Sequence, residues 1–234
     1  MEIYYDFHIH SCLSPCGNDE MIPKMIIDSA VAKELQAIAL TDHNTTGNCA
    51  IFMNYAKEAG IIALPGMELQ TSEDIHAICL FSALDDSENF GRYVNKHIPD
   101  IKNRIDIFGH QIRFNIDGSI EENPLMLINS TDISLYGLFE LVDSFKGIAI
   151  PAHIDRGAFS LIGILGSLDD SYGFPTVEVF KDIKACGSLR FIQNSDAHNL
   201  DSFFESPYHK MEVEKITAED IIKKLKYLII IFNN

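Results

Sequence analysis

Basic residues are scarce in this sequence of 234 residues. Lysine and arginine together number 18, against 34 aspartates and glutamates, and the formal net charge is −16 with neutral histidine. Such a chain repels the phosphate backbone of nucleic acids, and no basic stripe is visible that would follow that backbone. We therefore expect no nucleic-acid polymer as a partner. Divalent cations are compatible with the excess of carboxylates, because bound ions locally reverse the sign of the charge.

Long apolar runs are also missing. No segment reaches the roughly 18–20 apolar residues that span a bilayer. The run at residues 227–232 is far too short for this, and we interpret it as a buried strand. The N-terminus has no secretory signal, which would combine a basic, an apolar and a small-residue region. We expect a cytoplasmic location and no membrane partner, whereas the oligomeric state stays open.

Several common motifs are absent as well. The five cysteines are odd in number and irregularly spaced, which does not indicate a disulfide framework. Cys12 and Cys16 directly follow His10 and could line or ligate a site, whereas Cys79 lies in an apolar strand as a core thiol. No G-x-G-x-x-G follows a predicted strand, and no glycine-rich loop ends in Lys-Ser or Lys-Thr. These absences exclude a dinucleotide fold and a P-loop.

Short apolar segments alternate with amphipathic helical patterns along the chain. The predicted strands are residues 2–5, 37–40, 61–64, 76–81, 147–150, 176–180 and 190–194. The clearest helices are residues 23–35, 49–59 and 218–226, and helical patterns are also present at 89–107 and 135–145. This alternation predicts an α/β fold with a parallel sheet covered by helices. Residues 85–147 are less regular, with a hairpin and a primed turn at Asp117-Gly118, and we expect an insertion or cap in one domain, 1–234.

Two histidines follow the first predicted strand, in Asp6-Phe7-His8-Ile9-His10. Side chains alternate along a strand, so His8 and His10 point to the same side, with Asp6 one step behind. Two imidazoles side by side can chelate a metal ion, since imidazole is the commonest protein ligand for zinc. The pattern His-x-His alone is weak and needs further ligands from elsewhere in the chain.

Further imidazoles and carboxylates lie where other predicted strands end. They are Asp42, His43, Glu68, His153, Asp196 and His198, and His76 could fold back toward them through a hairpin after Glu68. In barrel enzymes, functional residues gather at the C-terminal ends of strands. Imidazoles and carboxylates without a regular cysteine pattern favour zinc, manganese or iron. The donors exceed what one ion needs, which predicts two or three ions with Glu68 as a candidate bridge.

The order and spacing of these motifs resemble the polymerase and histidinol phosphatase (PHP) family. The motifs are D-F-H-I-H-S, T-D-H-N, P-G-M-E, P-A-H and S-D-A-H, which run from Asp6 to His198. The resemblance implies a distorted (β/α)7 barrel and a trinuclear metal site that hydrolyses phosphoesters. The motif matches assign one cluster to His8, His10, Glu68 and Asp196, and the remaining positions to His43, His76, His153 and His198.

One position departs from the family pattern. Many members have Asp or His about five residues after the second histidine, where this chain has Pro15. Asp19 is the nearest carboxylate and is taken as the metal ligand, with Glu20 directly after it. A cysteine, Cys12 or Cys16, is the other group that could complete the site.

The expected reaction is hydrolysis of a small phosphorylated metabolite or nucleotide by a metal-activated hydroxide. Arg156, in H-I-D-R, is expected to bind the phosphate, and the alternative is a salt bridge to Asp155 or Asp182. Asp196 or His198 is expected to protonate the leaving oxygen.

Two carboxylates are expected to hold the metal-ligating residues in place without binding metal themselves. Asp42 is a candidate for orienting a histidine, and Asp6 is placed in the same outer position. Asp155 and Glu178 could line the pocket or pair with Arg156.

An amidohydrolase-like metal enzyme and a non-catalytic metal or ligand sensor are the alternative functions. A bridging lysine would be expected in the amidohydrolase, and no lysine lies at a strand end among these motifs.

Overall fold

The strands and helices follow the predicted order, with differences in length and pairing. The structure is a computed structural model that describes residues 1–168 and 172–226. The strands are β1 (Glu2–Asp6), β2 (Ala37–Leu40), β3 (Ile62–Gln70), β4 (His76–Leu80), β5 (Ile112–Phe114), β6 (Ile120–Glu122), β7 (Ile148–Pro151), β8 (Thr176–Glu178), β9 (Arg190–Ile192) and β10 (His209–Glu212). The helices are α1 (Pro23–Ala32), α2 (Cys49–Ala59), α3 (Leu84–Val94), α4 (Ile105–Phe108), α5 (Leu138–Ser144), α6 (Leu161–Leu165), α7 (Leu200–Glu205) and α8 (Ala218–Lys226). The predicted strand at 227–232 lies outside the described residues.

Local sequence signals set the limits of several helices. α1 begins at Pro23, where the missing N–H of proline costs no helical hydrogen bond. α2 ends before Gly60, which has φ 74°, a left-handed conformation that glycine adopts without steric cost. α8 follows Thr217, whose Oγ1 accepts a hydrogen bond from the Asp220 N–H at 3.2 Å. Among the described helices, none has the length and apolarity needed to cross a bilayer.

The main sheet has six strands in the order β10-β1-β2-β3-β4-β7. β1, β2 and β3 are parallel, as predicted, but β4 is antiparallel to both β3 and β7, and β10 is antiparallel to β1. The prediction of an all-parallel sheet is therefore wrong. Residues 71–75 are too few for a crossover helix, so β3 and β4 form a hairpin. β3 also runs on through Glu68 to Gln70, well past the predicted end at residue 64.

β8 and β9 form a separate parallel pair between the two ends of this sheet. The Ile154 N–H donates to the Glu178 carbonyl at 2.9 Å beyond the end of β7, and the His10 N–H donates to the Ala197 carbonyl at 3.0 Å beyond β1. The result is a mixed α/β fold with a curled, half-barrel sheet, which agrees with the predicted class. The seven repeated βα units of the expected barrel are not confirmed.

Residues 85–147 contain α3, α4, the β5–β6 hairpin and α5. The helical pattern predicted at 89–107 breaks into α3 and the short α4. The hairpin is present, but its turn is not primed, because Gly118 has φ 85° whereas Asp117 has no positive φ. Phe90 and Leu138 pack in the same core as Leu69 and Cys79 of the main sheet. The division into a barrel and an insertion stays a prediction.

Candidate metal centre

Glu68 lies at the centre of a cluster of buried imidazoles. It sits in β3 and is 1% exposed. Five histidines place a ring nitrogen within 3.3 Å of its carboxylate oxygens: His8, His10, His43, His76 and His153. Burial alone would raise the pKa of Glu68, but the surrounding histidines, His76 foremost, hold the pKa well below its ordinary value. The carboxylate of Glu68 is therefore ionised, and histidine ring nitrogens surround both of its oxygens.

The β3–β4 hairpin brings His76 to this cluster. Its register pairs Gln70 with His76, and His76 Nδ1 lies 2.9 Å from Glu68 Oε1. The predicted folding back of His76 is thus observed. A parallel bridge between His43 and Glu68 joins the residues after β2 to β3, and His43 Nδ1 lies 3.2 Å from Glu68 Oε2.

Asp196 adds a second carboxylate from the loop after β9. Its Oδ1 lies 3.2 Å from His8 Nε2 and 3.3 Å from His10 Nε2. A parallel bridge between Ile9 and Ala197 sets this position. Asp196 has φ 51°, a conformation that non-glycine residues seldom adopt outside turns and functional sites. Burial opposes ionisation, but His8 and His10 hold the pKa of Asp196 well below its usual value.

Glu178 in β8 fixes the orientation of His8. His8 Nδ1 donates to the Glu178 carboxylate at 3.0–3.1 Å, so Nε2 faces Glu68 and Asp196. Glu178 also accepts from the His153 N–H at 2.8 Å and from Asn194 Nδ2 at 2.7 Å. Glu178 was expected to line the pocket or to pair with Arg156, and its contact with His8 was not predicted. The signal was present, because a glutamate in the apolar strand Thr-Val-Glu-Val-Phe needs buried partners.

Asp42 is connected to His10 through the hydroxyl of Ser14, and its supporting role stays a prediction. Ser14 Oγ donates to Asp42 Oδ1 at 2.8 Å, since a carboxylate accepts only. Ser14 Oγ in turn accepts from His10 Nδ1 at 3.0 Å and from the His43 N–H at 3.1 Å. His10 therefore presents an unprotonated Nε2 to the cluster when the ring is neutral.

Asp6 acts on the backbone and contacts no imidazole among the described residues. Its Oδ1 accepts from the His8 N–H at 3.3 Å and from the Ser195 N–H at 3.2 Å, which holds the Asp196 loop against the end of β1. Burial raises the pKa of Asp6 to about 6.

Arg156 pairs with neither of the two predicted alternatives, Asp155 and Asp182. Its Nη1 lies 2.5 Å from Asp196 Oδ2, and the guanidinium lies over the Phe180 ring, 4.3 Å from its centroid. Asp155 instead accepts from the backbone N–H groups of residues 180–182. The guanidinium therefore reaches the edge of the cluster.

The expected ligand Asp19 is not brought to the cluster. Asp19 and Glu20 are both exposed, and Glu20 Oε1 accepts from the Leu200 N–H at 3.2 Å. Cys12 is buried. None of these three belongs to a group of metal-ligand atoms among the described residues, whereas Cys16 does. The loop after His10 leaves Asp19 exposed to solvent and places Cys16 in one group with His10, His43 and His198.

The donor set fits bound metal ions. Three groups have all their ligand atoms within 4.8 Å of one another: His8, His10 and Glu68; His43, Glu68 and His76; and His10, Cys16, His43 and His198. His43 Nδ1, His153 Nδ1 and Asp196 Oδ1 are buried and make no hydrogen bond with any described residue. Unpartnered buried polar atoms are costly, and a cation bound beside each of them would supply the missing partner.

Comparison with known proteins agrees with a metal-binding α/β hydrolase fold of this kind. The PHP domain model matches residues 6–144, which is more than half of the chain. The chain belongs to the PHP domain family. This membership confirms the predicted family and supports the predicted class, a metal-dependent hydrolase of phosphoester bonds. A search of curated proteins finds no significant match.

Solved structures with the same fold include endonucleases and a phosphoesterase. The lesion-specific endonuclease Q of Pyrococcus furiosus has TM-score 0.70 at 20% identity, over 97% of this chain and 56% of that chain. Endonuclease Q in complex with a 27-mer duplex carrying an abasic lesion gives TM-score 0.68 at 20% identity, with 97% and 57% covered. A protein of Bifidobacterium adolescentis described as a metal-dependent phosphoesterase gives TM-score 0.56 at 16% identity, with 94% of both chains covered. The chain thus spans little more than half of the endonuclease Q chains.

The expectation that nucleic acid is excluded as a partner is wrong. One of the structures with this fold holds a DNA duplex, so net charge does not exclude a nucleic-acid polymer for such a chain. The physical reason is that net charge averages over the surface, whereas the carboxylates of a metal centre reverse their sign locally when cations bind.

Proposed function

We propose that this protein hydrolyses phosphoester bonds with two or three divalent cations, zinc, manganese or iron, held around Glu68. The observation that carries the proposal is the contact of one buried carboxylate with five imidazoles, with a second carboxylate beside the same Nε2 atoms of His8 and His10. These donors are the ligands such ions prefer, and they exceed the four or so that one ion takes.

The residues divide between the ions as the family resemblance suggests. His8, His10, Glu68 and Asp196 would hold one cation, and His43, His76, His153 and His198 would complete the neighbouring positions with Glu68 as the bridge. When bound, such cations supply Lewis-acid polarisation of phosphoryl oxygens and a water acidified toward neutral pKa. Glu178 and Asp42 keep the ligating nitrogens of His8 and His10 aimed inward.

Arg156 is the group we propose for binding the phosphate. Its guanidinium pairs with Asp196 across the edge of the cluster and can exchange that carboxylate for a phosphate, which it binds in a bidentate manner. Either Asp196 or His198 was expected to protonate the leaving oxygen. Asp196 is ionised, and burial with the nearby His10 lowers the pKa of His198 to about 4. Both are unprotonated at neutral pH, which suits ligands, and we assign proton donation to neither.

A nucleic-acid phosphodiester is a second candidate substrate, favoured by the similarity to endonuclease Q over 97% of this chain. The predicted substrate, a small phosphorylated metabolite or nucleotide, is tested in the same assay. Metal-depleted protein is given manganese or zinc and is tested on p-nitrophenyl phosphate, nucleoside phosphates, an amide, and a DNA duplex with and without an abasic site. Phosphoester cleavage with added metal, abolished in His8→Ala and in Asp196→Ala, is the expected result. Full activity in either folded variant contradicts the proposal.

A further inference from the structure

Cys16 directly follows Pro15, the position where the family pattern places an acidic or histidine ligand. It belongs to the group in which the ligand atoms of His10, Cys16, His43 and His198 all lie within 4.8 Å of one another. His43 is 6% exposed, and its Nδ1 makes no hydrogen bond with any described residue, although Glu68 Oε2 is 3.2 Å away. A buried imidazole that has one ring nitrogen without a hydrogen-bond partner therefore belongs to the same group as the thiol.

The loop that carries Cys16 is fixed by backbone hydrogen bonds. The Ser14 N–H donates to the Ser11 carbonyl at 3.0 Å, and the Gly17 N–H donates to the Ser14 carbonyl at 2.8 Å. A side chain at Gly17 would collide with the Ser11 carbonyl, 2.3 Å from the Cβ it would have, so only glycine permits this turn. The Cys16 position is thus set by the fold.

The Cys16 loop is also tied to the loop of His198. The Asn18 N–H donates to the His198 carbonyl at 2.8 Å. His198 Nδ1 donates to the Asp196 carbonyl at 2.8 Å, which leaves Nε2 unprotonated, and its ring stacks on His10 with centroids 4.3 Å apart. The ligand atoms of Cys16, His43 and His198 therefore lie close together at the solvent-exposed edge of the cluster.

We propose that Cys16 is a metal ligand and that, together with His43 and His198, it binds a thiophilic divalent cation such as zinc. The inference rests on the metal-binding part of the proposed function. Three protein ligands with an open fourth position are the usual arrangement of a catalytic zinc site. Thiolate ligands favour zinc over manganese or magnesium, so this subsite differs in metal preference from the oxygen- and nitrogen-only positions around Glu68.

The test is the absorption spectrum of the cobalt(II)-loaded full-length protein. A thiolate ligand adds a near-ultraviolet sulfur-to-cobalt charge-transfer band to the visible bands of the bound ion. We expect this band in the unaltered protein and in Cys12→Ser, which is the matched control because Cys12 is buried outside the group. The band should vanish in Cys16→Ser and in Cys16→Asp. Cys16→Asp should keep the full number of cobalt ions with an oxygen ligand.

The same titration compares metals. In Cys16→Asp, the dissociation constant of the weakest-bound zinc ion should rise more than about tenfold while that of manganese stays within about threefold. Visible cobalt bands without the charge-transfer band, or a charge-transfer band that survives in Cys16→Asp, would overturn the role of Cys16 alone. Failure to bind any cobalt would overturn the metal centre and the role of Cys16 together. Far-ultraviolet circular dichroism verifies the fold of each variant.

Discussion

The candidate centre has two regions that are built differently. The first, the strand cluster, consists of His8, His10, Glu68 and His76, all of which are buried. The second, the loop rim, consists of Cys16, Arg156, Asp196 and His198. Cys16 is exposed, and the side chains of Arg156 and His198 are each 31% exposed. Strand register and buried carboxylates hold the strand cluster, whereas hydrogen bonds between loops hold the rim.

This difference indicates that the two regions determine different properties of the centre. The strand cluster is preorganised, since Glu178 orients His8, the Asp42–Ser14 pair orients His10, and the hairpin register places His76. The loop rim is more exposed to solvent, except for the Asp196 side chain, and includes Arg156, which contacts Asp196. We therefore expect the strand cluster to determine metal affinity and the loop rim to determine metal preference and phosphate contact.

The largest expected effect comes from removing the centre of the strand cluster. Glu68→Gln should weaken binding of the tightest ion by more than about 100-fold, because loss of a ligand exceeds the 10–100-fold loss seen for a partner of a ligand. Chelator competition measures the affinity. Glu58→Gln, at an exposed position of helix α2, is the control and should be neutral. Unchanged affinity in Glu68→Gln would remove the distinction between the two regions.

Removal of Glu178, which accepts a hydrogen bond from His8 in the strand cluster, should have the next largest effect. Glu178→Ala frees His8 Nδ1 and should weaken metal binding about 10–100-fold. Glu178→Gln should lose less, since its amide oxygen can still accept from His8. The metal-dependent rise in melting temperature should shrink in the same order. Equal losses in both variants would indicate that Glu178 acts on the fold and not on His8.

The two regions should also differ in the number of protons that they release when a metal ion binds. Burial alone would lower the pKa of His10, but Asp196 and Glu68 raise it to about 9 in the metal-free protein. His10 is therefore protonated at neutral pH and must lose its proton to bind a metal ion. Apparent affinity should rise about tenfold per pH unit for each displaced proton, and the contribution of His10 should level off above about pH 9.

Calorimetry in buffers of different ionisation enthalpy counts these protons. The His198→Ala variant should still release the proton of His10, because His198, with its pKa lowered to about 4, carries none at neutral pH. A flat affinity between pH 6 and 9, where roughly tenfold per unit is expected, would contradict the assignment of His10.

The smallest expected effect is that of Asp19, which lies in the same loop as Cys16. Asp19→Asn should change metal affinity and activity less than about twofold, within the usual range for an exposed substitution. The cobalt spectrum and the assay of the proposed function measure both. A tenfold loss would place Asp19 in the loop rim in place of Cys16.

The sequence predicts the strand cluster better than the loop rim for a physical reason. Alternation along a strand and the ends of buried strands are local patterns, so His8, His10 and Glu68 were predicted to meet, and they do. Glu178 was missed as the partner of His8, because its contact crosses 170 positions of the chain. Position along the chain favoured Asp19, but the turn that Gly17 permits directs Cys16 inward. The antiparallel β4 likewise depends on the length of one connection and not on strand composition.

The most direct test of the central claim is a titration of metal-depleted protein with manganese or zinc. Bound ions and the rate of phosphodiester hydrolysis are recorded together in the unaltered protein and in Glu68→Gln. Activity that is absent without metal, rises as two or three ions bind, and stays absent in Glu68→Gln is the predicted result. Hydrolysis that is equal with and without metal, or that persists in Glu68→Gln, would contradict a metal centre built around Glu68.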